Sequence, residues 1–181
     1  MVERISVKKI IEKEVEKDFI NAIEKFNCQD KEVENFLKTK AFDFDRRHKS
    51  RTYLIIDTDE TGEIKILAYY SVTMKSLKFS PGLSKSKIKK LDGFRSDVEE
   101  TEAVLIGQLG KDYNNRDKID GKSIIEYILE TVYIAHNAVG GRIVFLECSD
   151  NERVVNFYQN NGFVFLQKST DDEYMQMIRY L

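Results

Sequence analysis

Three cations of this chain lie close together in the sequence, at the point where a helix is predicted to begin. Arg116, Lys118 and Lys122 surround Gly121, and the polar stretch Lys111–Asp120 favours a loop before it. The first backbone N–H groups of a helix have no partner within the helix, so they can bind an anion. These residues predict a site for a phosphate-bearing ligand. The alternative is an ordinary connection between a strand and a helix.

A tyrosine on a later predicted helix is the second candidate for chemistry. Tyr158 lies in Asn151–Gln159, which is followed by a stop signal that ends in Gly162. A phenol can donate a proton as a general acid. The alternative is a core aromatic residue, because Val154 and Phe157 share the same helix and could pack beside it.

The elements that must position these residues are two predicted strands and the helix that joins them. Val104–Leu109 is an apolar run before the polar loop, and Arg142–Cys148 is a second apolar run. Between them, apolar residues recur at helical steps from Ile124 to Ala135. This order predicts a strand, a helix and a second, parallel strand.

The rest of the chain adds strands and helices on both sides of this unit. We expect a strand at Val2–Val7, two helical faces over Ile11–Phe26 and Val33–Phe44 with Asp30 as an N-cap, a hairpin of Thr52–Ile56 and Ile64–Met74, a short helix near Ser84–Leu91, and a closing hairpin of Phe163–Leu166 and Tyr174–Tyr180 around Thr170–Asp172. The sequence predicts one α/β domain over residues 1–181 with a mixed sheet.

The composition excludes several classes of protein. The chain is 41% hydrophobic with a single proline, which is typical of a folded domain. It has no apolar run of membrane-spanning length and no signal-peptide pattern, so we expect a cytoplasmic protein. Cys28 and Cys148 are too few and too far apart for a disulfide framework or a zinc site, and His48 and His136 argue against a histidine-rich metal centre.

Positive charge is concentrated in two clusters although the net charge is −2. The first cluster, Lys38–Arg51, holds six basic and two acidic residues, and the second, Lys75–Arg95, holds seven basic and one acidic residue. Two such clusters on one small domain can form a face for a polyanion. The alternative is solvated surface.

Two sets of residues resemble the signatures of the GNAT-family N-acetyltransferases. One signature is matched in spacing by Asn151, Val154, Tyr158, Gly162 and Phe163. The other, Gln/Arg-x-x-Gly-x-Gly/Ala, is matched at Arg116 and Gly121, with Ile119 in place of the middle glycine. The resemblance implies a GNAT-like α/β fold, in which a mixed, centrally splayed sheet is flanked by helices.

Five short segments are similar to the toxin-type acetyltransferases within that family. They are Phe26-Asn27-Cys28, Val33-Glu34-Asn35-Phe36-Leu37, Ser50-Arg51-Thr52-Tyr53, Ala68-Tyr69-Tyr70-Ser71 and Ile106-Gly107-Gln108-Leu109. This resemblance implies acetylation of the α-amine of aminoacyl-tRNA by acetyl-CoA. It also implies an antitoxin protein as a partner, and it allows a homodimer.

The resemblance further implies which residues bind acetyl-CoA, in a gap between the Val104–Leu109 and Arg142–Cys148 strands. The residues expected to bind it are Leu109, Gly110, Lys111, Arg116, Lys118, Ile119, Asp120, Gly121, Lys122, Ser123 and Asn151. A main-chain N–H of Leu109–Lys111 would polarise the thioester carbonyl. Tyr158 would protonate the departing CoA thiolate.

The sequence indicates less about the acceptor, the amine that receives the acetyl group. An α-amine has a pKa of about 8 and could react through water alone, whereas a lysine acceptor would need a base such as Glu100 or Glu102. For an RNA acceptor the first candidates are Arg46, Arg47, Lys49 and Arg51, and Lys85–Lys90 are the second. Two alternatives stay open: an acetyltransferase for a protein or small-molecule amine, and, because of Ile119, a non-catalytic acyl-CoA-binding module.

Overall fold

A computed structural model describes residues 2–171 and 173–181 of the chain. Asp172, part of the predicted closing turn, lies outside the described residues. Strands and helices follow in the order β1 (Val2–Ser6), α1 (Val7–Glu12), α2 (Glu16–Lys25), α3 (Lys31–Thr39), α4 (Ala41–Arg46), β2 (Arg51–Thr58), β3 (Ile64–Lys78), α5 (Lys85–Asp92), β4 (Glu100–Lys111), α6 (Gly121–Val139), β5 (Ile143–Cys148), α7 (Glu152–Asn160), β6 (Val164–Lys168) and β7 (Met175–Tyr180).

The strands form a mixed sheet in the order β1-β2-β3-β4-β5-β7-β6. Neighbours are antiparallel at β1/β2, β2/β3, β5/β7 and β6/β7, whereas β4 and β5 are parallel. The parallel register joins Val104–Ile106 to Val144–Leu146, which is three residues of a twelve-residue and a six-residue strand. The predicted α/β class with a mixed sheet flanked by helices is confirmed.

The chain divides into two compact units, each made of two segments. The first unit comprises residues 1–73 and 107–128, and the second comprises residues 74–106 and 129–181. The core of the first unit includes Phe26, Leu37 and Tyr69, and the core of the second includes Leu91, Phe145 and Ile178. The single domain expected over residues 1–181 stays a prediction.

Two of the predicted helices are each divided by a break. The Ile11–Phe26 pattern is split between α1 and α2, because Glu14 has a left-handed backbone with φ of 57°. The Val33–Phe44 pattern is split between α3 and α4 at Lys40, where φ is −121°. A break of one to three residues changes the direction of the helix but disturbs the spacing of apolar residues very little. The sequence pattern therefore could not reveal it.

Other expected boundaries agree closely with the structure. Asp30 is the N-cap of α3 and accepts hydrogen bonds from the N–H groups of Glu32 and Val33. β3 and β4 extend beyond their predicted ends, and the acidic run that starts at Asp97 leads into β4 at Glu100. Among the described residues, no helix combines the length and the apolar character that a membrane crossing requires.

Candidate active site

A pocket of about 510 Å³ lies at the loop between β4 and α6, within the first unit. Its lining brings together six of the predicted cofactor-binding residues with three others: Val2, Lys111, Arg116, Asp117, Lys118, Ile119, Asp120, Ser123 and Tyr127. Among the described residues, the other five predicted for the same ligand do not line it: Leu109, Gly110, Gly121, Lys122 and Asn151. The expected phosphate loop therefore has a concave surface that could receive a ligand.

A buried carboxylate fixes the start of this loop. Asp112 is 2% exposed, and its two oxygens accept hydrogen bonds from the Asn27 N–H at 2.8 Å and from the Asn115 N–H and side-chain amide at 2.9 and 2.7 Å. Sequence reasoning missed Asp112. An aspartate followed three residues later by an asparagine is a turn pattern that could have revealed it. The Asp112 side chain therefore joins the start of the loop to Asn27 and to Asn115.

The cations of the loop are already engaged with neighbouring groups. The Arg116 guanidinium lies 4.8 Å from the centre of the Tyr113 ring, and more than half of its side chain is exposed. The Lys118 ammonium is 2.7 Å from an Asp57 oxygen and lowers the pKa of that carboxyl. Arg116 is also 4.0 Å from a carboxylate oxygen of the exposed Asp117, so it is held less closely than Lys118, which would have to leave a contact of 2.7 Å.

The first turn of α6 is capped by the chain itself. The Ser123 N–H donates to Asp120 Oδ1 at 2.8 Å, and its hydroxyl donates to Oδ2 at 3.2 Å. The Ser123 N–H is the main reason that the pKa of Asp120 lies below its ordinary value. An ionised carboxylate therefore occupies a donor that a phosphate would use. This arrangement opposes the expected role of Asp120 in binding an anion.

Two residues expected to bind the cofactor, Ile119 and Gly110, have packing roles. Ile119 lines the pocket but is only 7% exposed, so most of its β-branched side chain is packed against other residues. At Gly110, an added Cβ would lie 2.7 Å from the Tyr69 ring and 2.9 Å from Val33 Cγ1. Glycine at 110 is thus explained by close packing in the first unit.

Tyr158 lies on α7 in the second unit, where apolar rings hold it. Its side chain is 9% exposed, and its ring centre is 5.1 Å from that of Phe157 and 5.8 Å from that of Phe163. Burial raises the pKa of the Tyr158 phenol above its ordinary value, and the nearby Cys148 adds to this. The phenol is therefore protonated throughout the physiological pH range, as a proton donor must be.

The residues that share the Tyr158 signature have local structural roles. Asn151 is the N-cap of α7, with its side-chain oxygen accepting from the Arg153 N–H at 3.0 Å. Gly162 has φ of 83°, and the chain then turns so that the Phe163 N–H donates to the Tyr158 carbonyl at 3.0 Å. This turn places Phe163, 1% exposed, against the Tyr158 ring. The signature residues thus build the packing around the phenol.

The two candidate bases lie on the first part of β4 and are both exposed. Glu102 Oε1 accepts a short hydrogen bond from the Ser76 hydroxyl. Glu100 contributes to a different pocket of about 840 Å³ in the second unit, beside Phe79 and Val98. Neither the exposure nor the hydrogen bonding of these carboxylates marks one of them as a base.

The first basic cluster is largely neutralised. Arg46 pairs with Glu16 at 2.5 Å, Arg47 with Asp43 at 2.9 Å, and Arg51 with the buried Asp45 at 2.7 Å. Lys49, the fourth candidate, lies with its ammonium 5.6 Å from the centre of the Phe44 ring. Three of the four predicted RNA contacts therefore have carboxylate partners.

The lysines of α5 differ from that cluster. Lys85, Lys87, Lys89 and Lys90 share this helix, where Ser84 is the N-cap. In the part of the chain that the structure describes, none of the four forms an ion pair with a carboxylate. Lys90 lies 4.5 Å from the centre of the Tyr180 ring. The second-choice cluster therefore offers more uncompensated positive charge than the first.

Comparison with known proteins identifies similar solved structures. No family model and no curated protein matches the chain. A tyrosine-to-phenylalanine mutant of KacT is 21% identical over 99% of this chain and 94% of that one, with a TM-score of 0.72. AtaT complexed with acetyl-methionyl-tRNAfMet is 23% identical over 86% and 85%, with a TM-score of 0.67. A tyrosine-to-phenylalanine mutant of the AtaT toxin, bound to acetyl-CoA and the C-terminus of the antitoxin AtaR, is 17% identical over 99% and 92%, with a TM-score of 0.68. The chain therefore has the fold of the AtaT toxin and of KacT, which is the GNAT fold that its sequence resembles.

Proposed function

We propose that this chain is an acetyl-CoA-dependent N-acetyltransferase that acts as a toxin on the α-amine of aminoacyl-tRNA. The observation that carries the proposal is a protonated, ring-packed phenol, Tyr158, on the helix that follows β5 of a GNAT fold. The similar AtaT structures contain acetyl-methionyl-tRNAfMet, acetyl-CoA and an antitoxin segment. By analogy we propose acetyl-CoA, aminoacyl-tRNA and an antitoxin as ligands of this chain.

The pocket at the start of α6 fits a ligand that carries phosphate groups. Lys111 and Arg116 would contact the phosphates, and Lys118 could join them by exchanging its Asp57 contact. Acetyl-CoA supplies the acetyl group as a thioester, and CoA leaves as a thiolate. Asp120 weakens this pocket for anions, so we expect moderate rather than tight cofactor binding.

Tyr158 would give its phenolic proton to the CoA sulfur. A raised pKa keeps the proton on the oxygen until the stronger base, the departing thiolate, is formed. The contacts with Phe157 and Phe163 fix the ring, so the hydroxyl is held in one position.

The acceptor amine determines whether a base is needed. At pH 7 the neutral fraction of an α-amine, with a pKa of about 8, is roughly several hundred times that of a lysine, with a pKa of about 10.4. An α-amine therefore needs no dedicated base. This agrees with the exposed positions of Glu100 and Glu102 on β4.

The lysines of α5 are the best candidates for RNA contacts. Among the described residues they form no ion pair with a carboxylate, whereas Arg46, Arg47 and Arg51 are paired. Because phosphate contacts release counterions, binding through these lysines would weaken steeply as salt is raised. The pairing in the first cluster is also the observation that favours a second candidate function, acetylation of a protein or small-molecule amine.

Transfer of labelled acetyl from acetyl-CoA tests the proposal. A panel of individually charged tRNAs, the same tRNAs without amino acid, short peptides and small amines would serve as acceptors. We expect label on at least one aminoacyl-tRNA, and a rate that falls as salt is raised. Label only on peptides or small amines would replace the RNA acceptor with the second candidate.

Calorimetry with acetyl-CoA separates an enzyme from a binding module. Binding without transfer to any acceptor would indicate a non-catalytic module, which is the interpretation that Ile119 suggested. No heat of binding at millimolar acetyl-CoA would exclude both the enzyme and the module.

A further inference from the structure

Glu147 is a partly buried carboxylate of the second unit that no sequence pattern indicated. Glu147 follows directly on the three residues of β5 that pair with β4, and its cross-strand neighbour on β7 is Gln176. It interrupts the apolar segment from Ile143 to Leu146, which is fully buried. Its side chain is 21% exposed, so one part of it reaches solvent while the rest is enclosed.

A chain of amide side chains holds one oxygen of Glu147 in place. The Gln176 side-chain amide donates to Glu147 Oε1 at 2.9 Å, and the Gln167 amide donates to Gln176 Oε1 at 2.8 Å. Gln167 also donates to the Lys78 carbonyl at 2.6 Å and accepts from the Ser80 N–H at 2.9 Å. The backbone groups of Lys78 and Ser80 determine which side-chain atom of Gln167 donates and which accepts. Gln167 in turn orients the amide of Gln176, which donates to Glu147.

Both glutamines are unusual occupants of a protein interior. Gln167 is 6% exposed and Gln176 is 5% exposed. Burying an amide is unfavourable unless its groups are hydrogen-bonded, and a surface ion pair contributes too little to need such support. The chain of amides is therefore better explained by the orientation that it gives to the Glu147 carboxylate.

The second oxygen of Glu147 faces a primary ammonium. Lys75 Nζ lies 3.4 Å from Oε2, and the Lys75 side chain is 47% exposed. Lysine is a flexible, hydrated cation that can leave an exposed contact at little cost. The contact places a primary ammonium beside Oε2 of a carboxylate whose other oxygen is held by Gln176.

We propose that Glu147 binds the ammonium group of the acceptor, which takes the place of Lys75. Solvent water then removes one proton, and Glu147 accepts a hydrogen bond from the neutral amine that attacks the thioester. This inference rests on the proposed function, because β5 is the strand expected to border the acetyl-CoA gap. The carboxylate lengthens the time for which the acceptor amine stays bound beside the cofactor. It is a substrate-binding residue, distinct from the phenol that donates the proton.

A pair of acceptors that differ by one group tests this role. The first is the aminoacyl-tRNA that takes acetyl best in the panel, and the second is the same tRNA carrying the matching α-hydroxy acid, used as an inhibitor. Glu147→Gln should raise the KM for the aminoacyl-tRNA by about 10- to 100-fold, the range for losing a hydrogen bond to a charged group. The kcat, measured about two pH units above the amine pKa of about 8 so that the bound amine is neutral in both enzymes, should change by less than about threefold, since bound acceptor meets the same phenol and cofactor.

The inhibition constant of the hydroxyacyl-tRNA should not change in Glu147→Gln, because that molecule has no ammonium for Glu147 to bind. A purely structural role would instead weaken both tRNAs equally and lower Tm. Equal weakening, or an unchanged KM, would overturn the proposal. A wild-type protein that acetylates no member of the panel would refute the proposed function instead.

Two further variants sharpen the result. Asp171→Asn is a matched control, because Asp171 also meets a lysine of β3, Lys78, at 3.4 Å but is 66% exposed. It should leave KM unchanged.

Lys75→Met removes the ammonium that competes for Glu147 and should lower KM by a few-fold. A raised KM would show that Lys75 itself assists acceptor binding, and it would contradict the replacement of Lys75 by the acceptor.

Discussion

The loop before α6 and the environment of Tyr158 are built from opposite kinds of interaction. The loop is held by charged and polar groups, with Asp112 fixing its start and Asp120 capping the helix that follows. Tyr158 is held by the rings of Phe157 and Phe163 and by a turn at Gly162. One region is polar and largely exposed, whereas the other is apolar and buried.

This difference predicts how each region responds to change. Charged groups at a surface exchange partners readily and are screened by salt, so the loop should tolerate substitution and change mainly in ligand affinity. A packed ring keeps one orientation, so the phenol can be altered at a single atom without moving the ring. Substitutions in the two regions should therefore separate binding from proton donation.

The largest expected effect comes from Tyr158→Phe. Removing the hydroxyl keeps the ring contacts but leaves no proton for the thiolate, so kcat should fall by about 10²- to 10⁴-fold. Acetyl-CoA affinity, measured by calorimetry, and Tm should stay close to those of the wild type. Tyr133→Phe, at an exposed tyrosine of the same unit, is the control and should keep full activity.

The pH profile gives an independent check on the phenol. Because burial raises the pKa of Tyr158, the proton-donating form persists to higher pH than for a free tyrosine. The rate should therefore rise as the acceptor amine loses its proton near pH 8 and show no descending limb before about pH 10. A Tyr158→Phe enzyme with a normal kcat would show that Tyr158 is not the proton donor, whatever the pH profile.

A smaller effect, on stability, is expected from Gly110→Ala. The new Cβ would lie 2.7 Å from the Tyr69 ring, so the free energy of unfolding should fall by about 1–3 kcal/mol. Gly82→Ala, where no atom lies within 4 Å of the added Cβ, is the matched control and should be close to neutral. Urea denaturation measures both. Unchanged stability with lost acetyl-CoA binding would instead favour a direct cofactor role for Gly110.

The smallest effects are expected from two loop variants of opposite sign. Arg116→Gln removes an exposed cation and should weaken acetyl-CoA binding by a few-fold, more at low than at high salt. Asp120→Asn keeps a helix-capping oxygen but removes the negative charge, so it should tighten binding by a few-fold. Calorimetry at two salt concentrations measures both. Equal weakening in the two variants would show that the loop acts through its shape rather than its charge.

Much of the fold followed from local sequence patterns. The strand before Lys111, the start of α6 at Gly121 and the N-cap at Asp30 depend on residues close in the chain, and all three agree with the structure. The breaks at Glu14 and Lys40 were missed, because a short interruption leaves the apolar spacing nearly intact. The α/β class and the GNAT fold were both predicted correctly.

The candidate site was predictable in the identity of its residues but not in their partners. The sequence singled out Tyr158 and the cations of the loop by type and spacing. Only the tertiary structure showed that Asp57 engages Lys118, that Asp45 engages Arg51, and that buried glutamines orient Glu147. The reason is physical, since helix and strand patterns arise from neighbours in the chain. The charge that a site presents depends on residues that folding brings together from distant segments.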